Sequence, residues 1–294
     1  MLRRIVCATD LSPSALVATR YAASIARAFD GTVELVTAWS WYDDIDEYAL
    51  VRPEALEEWK QKHEAKLALA VEALAKQGVS ASGKLVEGEP PRAIVEHAAA
   101  TKADLLVVGT EGRRGIAHAL LGSVAERILR TSEVPVLAVP KTWAVADDAR
   151  FAPKSILVPV DLEPLSAELV RVATDLARRA HARVAVVHAW DSAVMASEGP
   201  TAEADESRMT ARFTRWMEAN APKTTPHVDS VVRRGVPFDV IEDVVEERGV
   251  DLVVMATAGR TGIEHFMLGS LTERVLRSVG RPVLAYRRPR TERS

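Results

Sequence analysis

The residues with the clearest chemical promise are glycines. Gly109, Gly112 and Gly122-Ser123 form a Gly-x2-Gly-x9-Gly-Ser run. Glycine lets a backbone turn sharply and lets an anion come close where a Cβ would otherwise stand. A helix beginning beyond such a loop offers unpaired N–H groups and the positive end of its dipole. Ser123 adds a hydroxyl donor. Phosphate binding is the chemistry these parts suit. A strand–helix connection that uses glycine for close packing is the plainer reading, and the glycines alone leave both open. Two acids, Asp10 and Asp161, each follow an apolar run. Either could hydrogen-bond a ribose or hold a metal near phosphates, or serve as a turn residue. Arg113 and Arg260, just past the second glycine of each half, could reach a phosphate or lie on the surface.

Other chemistries lack their parts. There is no Gly-x4-Gly-Lys-Ser/Thr, and no Gly-x-Gly-x-x-Gly after the first apolar run. No Gly-x-Ser-x-Gly elbow marks a serine hydrolase. His118 and His265 occupy matching places, yet no carboxylate partner is fixed for them, and helix or interface histidines are the expectation. No histidine spacing suits a transition metal. One cysteine, Cys7, excludes a disulfide framework and is expected as an inert buried thiol.

The elements that must position these residues alternate. Arg3–Thr9 reads as a strand, and Ser12-Pro13 as the cap and first position of a helix that runs to Phe29. Gly31 breaks that helix. Thr32–Trp39 reads as a strand, 53–77 as an amphipathic helix, and Lys84–Glu87 as a weak strand. Pro90-Pro91 opens a helix to Thr101. Asp104–Gly109 is a fully apolar strand, Ile116–Thr131 a helix, and Val134–Val139 the last strand. Apolar strands alternating with helices indicate a buried parallel sheet in a doubly wound α/β layer. Ligands bind such sheets beyond the carboxyl ends of the strands, where the strand order reverses.

The chain repeats this pattern. Asp10-Leu11 matches Asp161-Leu162, and Ala38-Trp39 matches Ala189-Trp190, at an offset of 151. Gly112, His118 and Gly122-Ser123 match Gly259, His265 and Gly269-Ser270 at an offset of 147. So 294 residues become two homologous domains, 1–141 and 154–288, joined by a 142–153 linker. Trp39 and Trp190 are expected at a domain contact. Net charge is −3, from 38 Lys+Arg against 41 Asp+Glu, which argues against a nucleic-acid binder. A hydrophobic content of 48% argues against a disordered acidic chain. No apolar run is long enough for a membrane helix. Asp10 stands where a secretory signal needs a long apolar core, so a cytoplasmic location is expected.

The glycine run follows Asp104-Leu105-Leu106-Val107-Val108 and precedes Val124-Ala125-Glu126-Arg127. With the opening Ile5-Val6-Cys7-Ala8-Thr9-Asp10-Leu11-Ser12 and the closing Val134-Pro135-Val136-Leu137-Ala138-Val139, it resembles the universal stress protein family. The resemblance covers nearly the whole chain, twice. It implies a five-stranded parallel sheet of order 3-2-1-4-5 in each domain, and ATP as ligand, with Mg²⁺ a candidate bridge between phosphates. Carried over, Ala8, Thr9 and Asp10 line the ribose side and Ala38 lies against the adenine. Val108 and Gly109 approach the nucleoside, and Gly112, Gly122, Ser123 and Val124 hold the phosphates.

The second-domain counterparts are Pro159, Val160, Asp161, Ala189, Met255, Gly259, Gly269, Ser270 and Leu271. There Ala256 replaces Gly109. If the backbone must pass close to the ligand or take positive φ at that point, the methyl group obstructs it, so the first domain is expected to bind more tightly. The resemblance also implies pairing of the two domains through their last strands, with a homodimer left open. A regulatory or sensor role leads; a slow ATPase or a pure interaction module are the alternatives. Against the ATPase stand the absence of an arginine finger and of an assigned base.

Overall fold

The computed structural model describes residues 2–40, 53–110, 121–143, 145–190, 202–222, 228–257 and 268–287. The chain divides into two compact units, Met1–Phe151 and Ala152–Arg288. Each repeats one strand–helix alternation.

In unit 1, β1 (Arg4–Ala8) leads through α1 (Pro13–Phe29) to β2 (Thr32–Trp39). Then come α2 (Pro53–Lys76), β3 (Ser80–Glu87) and α3 (Pro90–Ala100). Last are β4 (Leu105–Gly109), α4 (Ser123–Thr131) and β5 (Val136–Val139). The strands are parallel, in the order β3-β2-β1-β4-β5. Unit 2 runs β6 (Ser155–Pro159), α5 (Pro164–Ala180), β7 (Arg183–Trp190), α6 (Ala202–Asn220) and β8 (Val228–Arg234). It closes with α7 (Pro237–Arg248), β9 (Leu252–Ala256), α8 (Ser270–Ser278) and β10 (Val283–Tyr286). Its order, β8-β7-β6-β9-β10, is the same topology. Two doubly wound α/β domains with 3-2-1-4-5 sheets are therefore what the chain forms.

Local chemistry explains the boundaries. Ser12 caps α1, its Oγ accepting the Ala15 N–H at 3.3 Å, with Pro13 in the first turn. The helix ends on Asp30, whose φ of 52° is left-handed. Gly31 serves a different need: a Cβ there would lie 2.9 Å from the carbonyl oxygens of Leu2 and Arg3. Asp104 and Asp251 cap the opposite, amino-terminal edge of their sheets. Asp104 Oδ2 accepts the N–H groups of Arg3 and Arg4, both at 2.9 Å. Asp251 Oδ2 accepts those of Lys154 and Ser155.

Two elements differ from the sequence reading. β3 begins at Ser80 rather than Lys84, because Ser80-Ala81-Ser82-Gly83 carries no β-branched signal. Gly83 lets α2 lie close, since a Cβ would meet Leu67 at 2.7 Å. Of the helix expected over Ile116–Thr131, α4 covers Ser123–Thr131, Gly122 before it is extended (φ −61°, ψ 146°), and 116–120 lie outside the described residues. The segment read as a linker is carried by unit 1 as far as Phe151. Its ring meets Tyr21 edge-on at 5.9 Å, its N–H donates to Ser24, and Arg27 donates to the carbonyls of Asp147 and Ala149.

Candidate functional site

The central strands are buried up to the last residue, apart from the exposed Arg4 that begins β1. At their carboxyl ends β1, β4, β6 and β9 open at Ala8, Gly109, Pro159 and Ala256. Parallel register brings the openings together. Cys7 pairs with Val107 and Ala8 with Val36, so β1 and β4 end side by side next to β2, which stays paired with β3 as far as Trp39. This is the point where strand order reverses, with β1 flanked by β2 and β4. Ala8, Thr9, Asp10, Ala38, Val108 and Gly109 all lie on these strand ends. Ala38 and Gly109 are half-buried, while Val108 is buried in the sheet.

The β1–α1 turn is backbone under constraint. Leu11 has φ of 59°, a region branched side chains rarely adopt. Two side chains hold it there. Thr9 Oγ1 accepts the Leu11 N–H at 3.1 Å, and Asp10 Oδ1 accepts the Ser12 N–H at 3.0 Å. Thr9 is itself anchored: its N–H donates to Val36, and Thr37 Oγ1 donates to its carbonyl at 3.0 Å. Backbone held in a sparsely populated region clusters at functional sites.

Unit 2 keeps the shape and changes the means. Leu162 has φ of 66°. Val160 has no hydroxyl to offer. Asp161 Oδ1 accepts the Glu163 N–H at 3.1 Å and the Ser166 hydroxyl at 2.7 Å. Where Thr37 holds the Thr9 carbonyl, His188 Nδ1 donates to the Val160 carbonyl at 2.9 Å. A carbonyl only accepts, so Nδ1 carries the proton.

The glycine loop is tied at its ends. Gly122 N–H donates to the Thr110 carbonyl at 2.7 Å, and Thr110 N–H donates to Val139. That bond sets the start of α4 beside the end of β4, whatever the course between them. Gly269 and Thr257 repeat it at 2.7 Å. α1 is capped by its own serine, but α4 and α8 start on glycine with no side-chain cap. Ser123 and Ser270, their first residues, are both exposed. Val124 is exposed too, and Leu271 half-buried. An uncapped helix start with a hydroxyl at its mouth suits an anion.

Neither Gly109 nor Ala256 has positive φ, so that part of the obstruction argument falls away; steric approach is the part that stands. A second difference accompanies it. Thr272 Oγ1 donates to the Ala256 carbonyl at 2.8 Å, and Ala125, its counterpart, has no hydroxyl to do so. Met255 is buried in β9. Ala189 is half-buried at the end of β7. Gly112, Arg113, Gly259 and Arg260 lie outside the described residues, as do His118 and His265.

Several sequence signals resolve into packing. Trp39 is 2% exposed and packs within its own unit against Trp59 of α2, at 5.6 Å. Cys7 is fully buried, and burial pushes its thiol up to about 12. Arg127 pairs with Glu89, and Arg274 lies 3.8 Å over the Phe238 ring, on their helices' outer faces. Among the described residues no group of His, Cys, Asp and Glu could hold a metal ion. No described helix is long and apolar enough to cross a membrane. Sequence reasoning missed Ser166 and Thr272. Their only signal was a hydroxyl in unit 2 where the aligned residue in unit 1 is alanine.

Comparison with known proteins matches the universal stress protein family model twice, over residues 1–140 and 153–287. Universal stress protein Rv2623 of Mycobacterium tuberculosis is 30% identical over 298 residues, covering 96% of each chain. Universal stress protein Rv2005c of the same organism is 30% identical over 248 residues, covering 80% of each. A universal stress protein structure from Archaeoglobus fulgidus superimposes with a TM-score of 0.66, at 19% identity, over 97% of this chain and 98% of that one. With both halves matched and the fold shared, the chain belongs to the universal stress protein family.

Proposed function

We propose that unit 1 binds an adenine nucleotide, ATP with Mg²⁺ as the candidate form, and that binding serves a regulatory or sensor role. The observation that carries this is the uncapped start of α4, tied by the Gly122–Thr110 bond beside the open ends of β1 and β4. The Ser123 hydroxyl and the first-turn N–H groups would receive phosphate, and the Asp10 carboxylate the ribose. Ala38 and Gly109 would flank the nucleoside. Gly112, Gly122 and Val124 complete the phosphate side, and Arg113 is its candidate cation. Any Mg²⁺ would be held mainly by the phosphates, since the described residues assemble no ligand cluster.

Unit 2 would bind more weakly through Pro159, Val160, Asp161, Ala189, Met255, Gly269, Ser270 and Leu271. Ala256 narrows its approach. Extraction of small molecules from the purified chain, with identification by mass, is the first test. An adenine nucleotide is expected. Protein with no retained nucleotide and no calorimetric response to added ATP would contradict the reading. Phosphate release compared between wild type and Ser123→Ala separates binding from turnover: robust release dependent on Ser123 would make the protein an ATPase instead.

A further inference from the structure

Arg127 and Arg274 stand at matched places, the fifth residues of α4 and α8. In unit 1 the Arg127 guanidinium pairs with the Glu89 carboxylate through Nη1. Glu89 lies at the carboxyl edge of the sheet, just past the end of β3. It is the N-cap residue of α3, yet its side chain makes no cap bond. Unit 2 has Val236 at that place. Arg274 instead lies 3.8 Å over the Phe238 ring, with Asp239 Oδ1 at 3.5 Å. Duplication has thus kept the arginine and changed its partner. Were the ion pair itself the purpose, both members would be kept.

Position supplies another purpose. Arg127 follows Ser123 by four residues, so the two share a helix face. Four residues rise about 6 Å, and Cα–Cβ bonds tilt toward the helix N-terminus. An extended arginine therefore spans back to the level of the Ser123 hydroxyl. Its planar fork of donors suits phosphate oxygens. The Arg127 and Glu89 side chains are 57% and 45% exposed. A pair so exposed contributes little to stability, so the guanidinium changes partner at small cost. We propose that Arg127 is a specificity-determining residue of unit 1 that leaves Glu89 for the terminal phosphates of a nucleotide, with Glu89 competing against them. Unit 1 thereby favours a nucleoside triphosphate over the monophosphate. This rests on the reading of the α4 start as the phosphate site.

The test measures ATP and AMP by calorimetry in the full-length chain. The two ligands share the nucleoside and first phosphate, so their ratio reports the terminal phosphates. Arg127→Ala is expected to weaken ATP several-fold at the tight site and leave AMP unchanged. Glu89→Gln keeps the side-chain size and frees the guanidinium. It is expected to strengthen ATP several-fold and again spare AMP. In the Arg127→Ala background that gain should vanish. Its persistence would mean general repulsion by Glu89 and overturn the exchange. A purely structural pair is broken by either substitution, so it predicts changes of like sign for both variants and both nucleotides. That pattern overturns the inference, and so does an ATP to AMP ratio that neither substitution moves. Each variant has its own expected sign, so poor folding of one leaves the other to decide. A wild-type chain that binds neither nucleotide would instead bring down the phosphate reading itself.

Discussion

The two units reach the same left-handed turn after their first strands by different hydrogen bonds. In unit 1 the supporting hydroxyl is Thr9, the residue before the acid, and it bonds the Leu11 N–H. In unit 2 the hydroxyl is Ser166, five residues after the acid, and it bonds the acid itself. The backbone shape has been kept through duplication, with φ of 59° at Leu11 and 66° at Leu162, while its support has moved. Asp161 Oδ1 accepts the Glu163 N–H and the Ser166 hydroxyl, and Asp10 Oδ1 accepts the Ser12 N–H. The strand ends differ in the same sense. Thr272 holds the Ala256 carbonyl and His188 the Val160 carbonyl, where unit 1 has Ala125 and Thr37. A duplicated fold is thus a weak guide to a duplicated site.

The largest expected effect that would break this comparison is at Asp10. Asp10→Asn keeps an oxygen for the Ser12 N–H but removes the charge. Hydrogen bonds to charged groups are worth about 1.5–3 kcal/mol, so ATP affinity at unit 1 should fall about 10- to 100-fold. The same change at Asp161 should alter the total binding isotherm far less. Equal losses would mean that the units share the work.

Next is pH. Cys7 is replaced by Val158 in unit 2. Folded Cys7 keeps its proton to about 12, whereas the unfolded thiol releases it near 9.0. Between these values the native state binds more protons than the unfolded state, so stability falls as pH rises. The slope is about 1.4 kcal/mol per pH unit. Unit 1 should lose this stability in alkaline denaturation, and Cys7→Val should remove the loss. A pH dependence unchanged by Cys7→Val would show that the burial is not maintained in solution.

A third, smaller effect concerns the turn. Thr9→Val copies unit 2 and should cost unit 1 about 1 kcal/mol, read from its denaturant midpoint. Adding Ala15→Ser should recover part of it. No recovery would separate the two turns more deeply than hydroxyl migration allows. The smallest expected effect is at Ala256→Gly, which should raise nucleotide affinity at unit 2 by about two- to fivefold through steric relief. No change would leave the Thr272 bond as the remaining difference at that strand end.

Much of the fold was legible because its strands are apolar and its helices carry clear starts and stops. The Ser12-Pro13 and Pro90-Pro91 openings, Gly78 and the buried run 105–108 fall where their chemistry predicts. The first half of β3 was not legible, since Ser80–Gly83 forms a strand through pairing with β2 and through room for Leu67 rather than by propensity. The start of α4 at Ser123 was not legible because helical spacing runs on through Leu121 and Gly122, and the Gly122–Thr110 bond that sets that start is tertiary. Of the site, Asp10, Ala38, Gly109 and Gly122-Ser123 were legible as residues that follow strands. The internal competitors were not. Ser166 and Thr272 look like ordinary helix residues until the fold sets their hydroxyls against Asp161 and Ala256.

Unequal use of two similar sites is the central claim, and calorimetric titration of the full-length chain, freed of bound ligand, tests it most directly. The account predicts one tight ATP site per chain, abolished by Asp10→Asn, with any second event much weaker. Two sites of equal affinity per chain would contradict it.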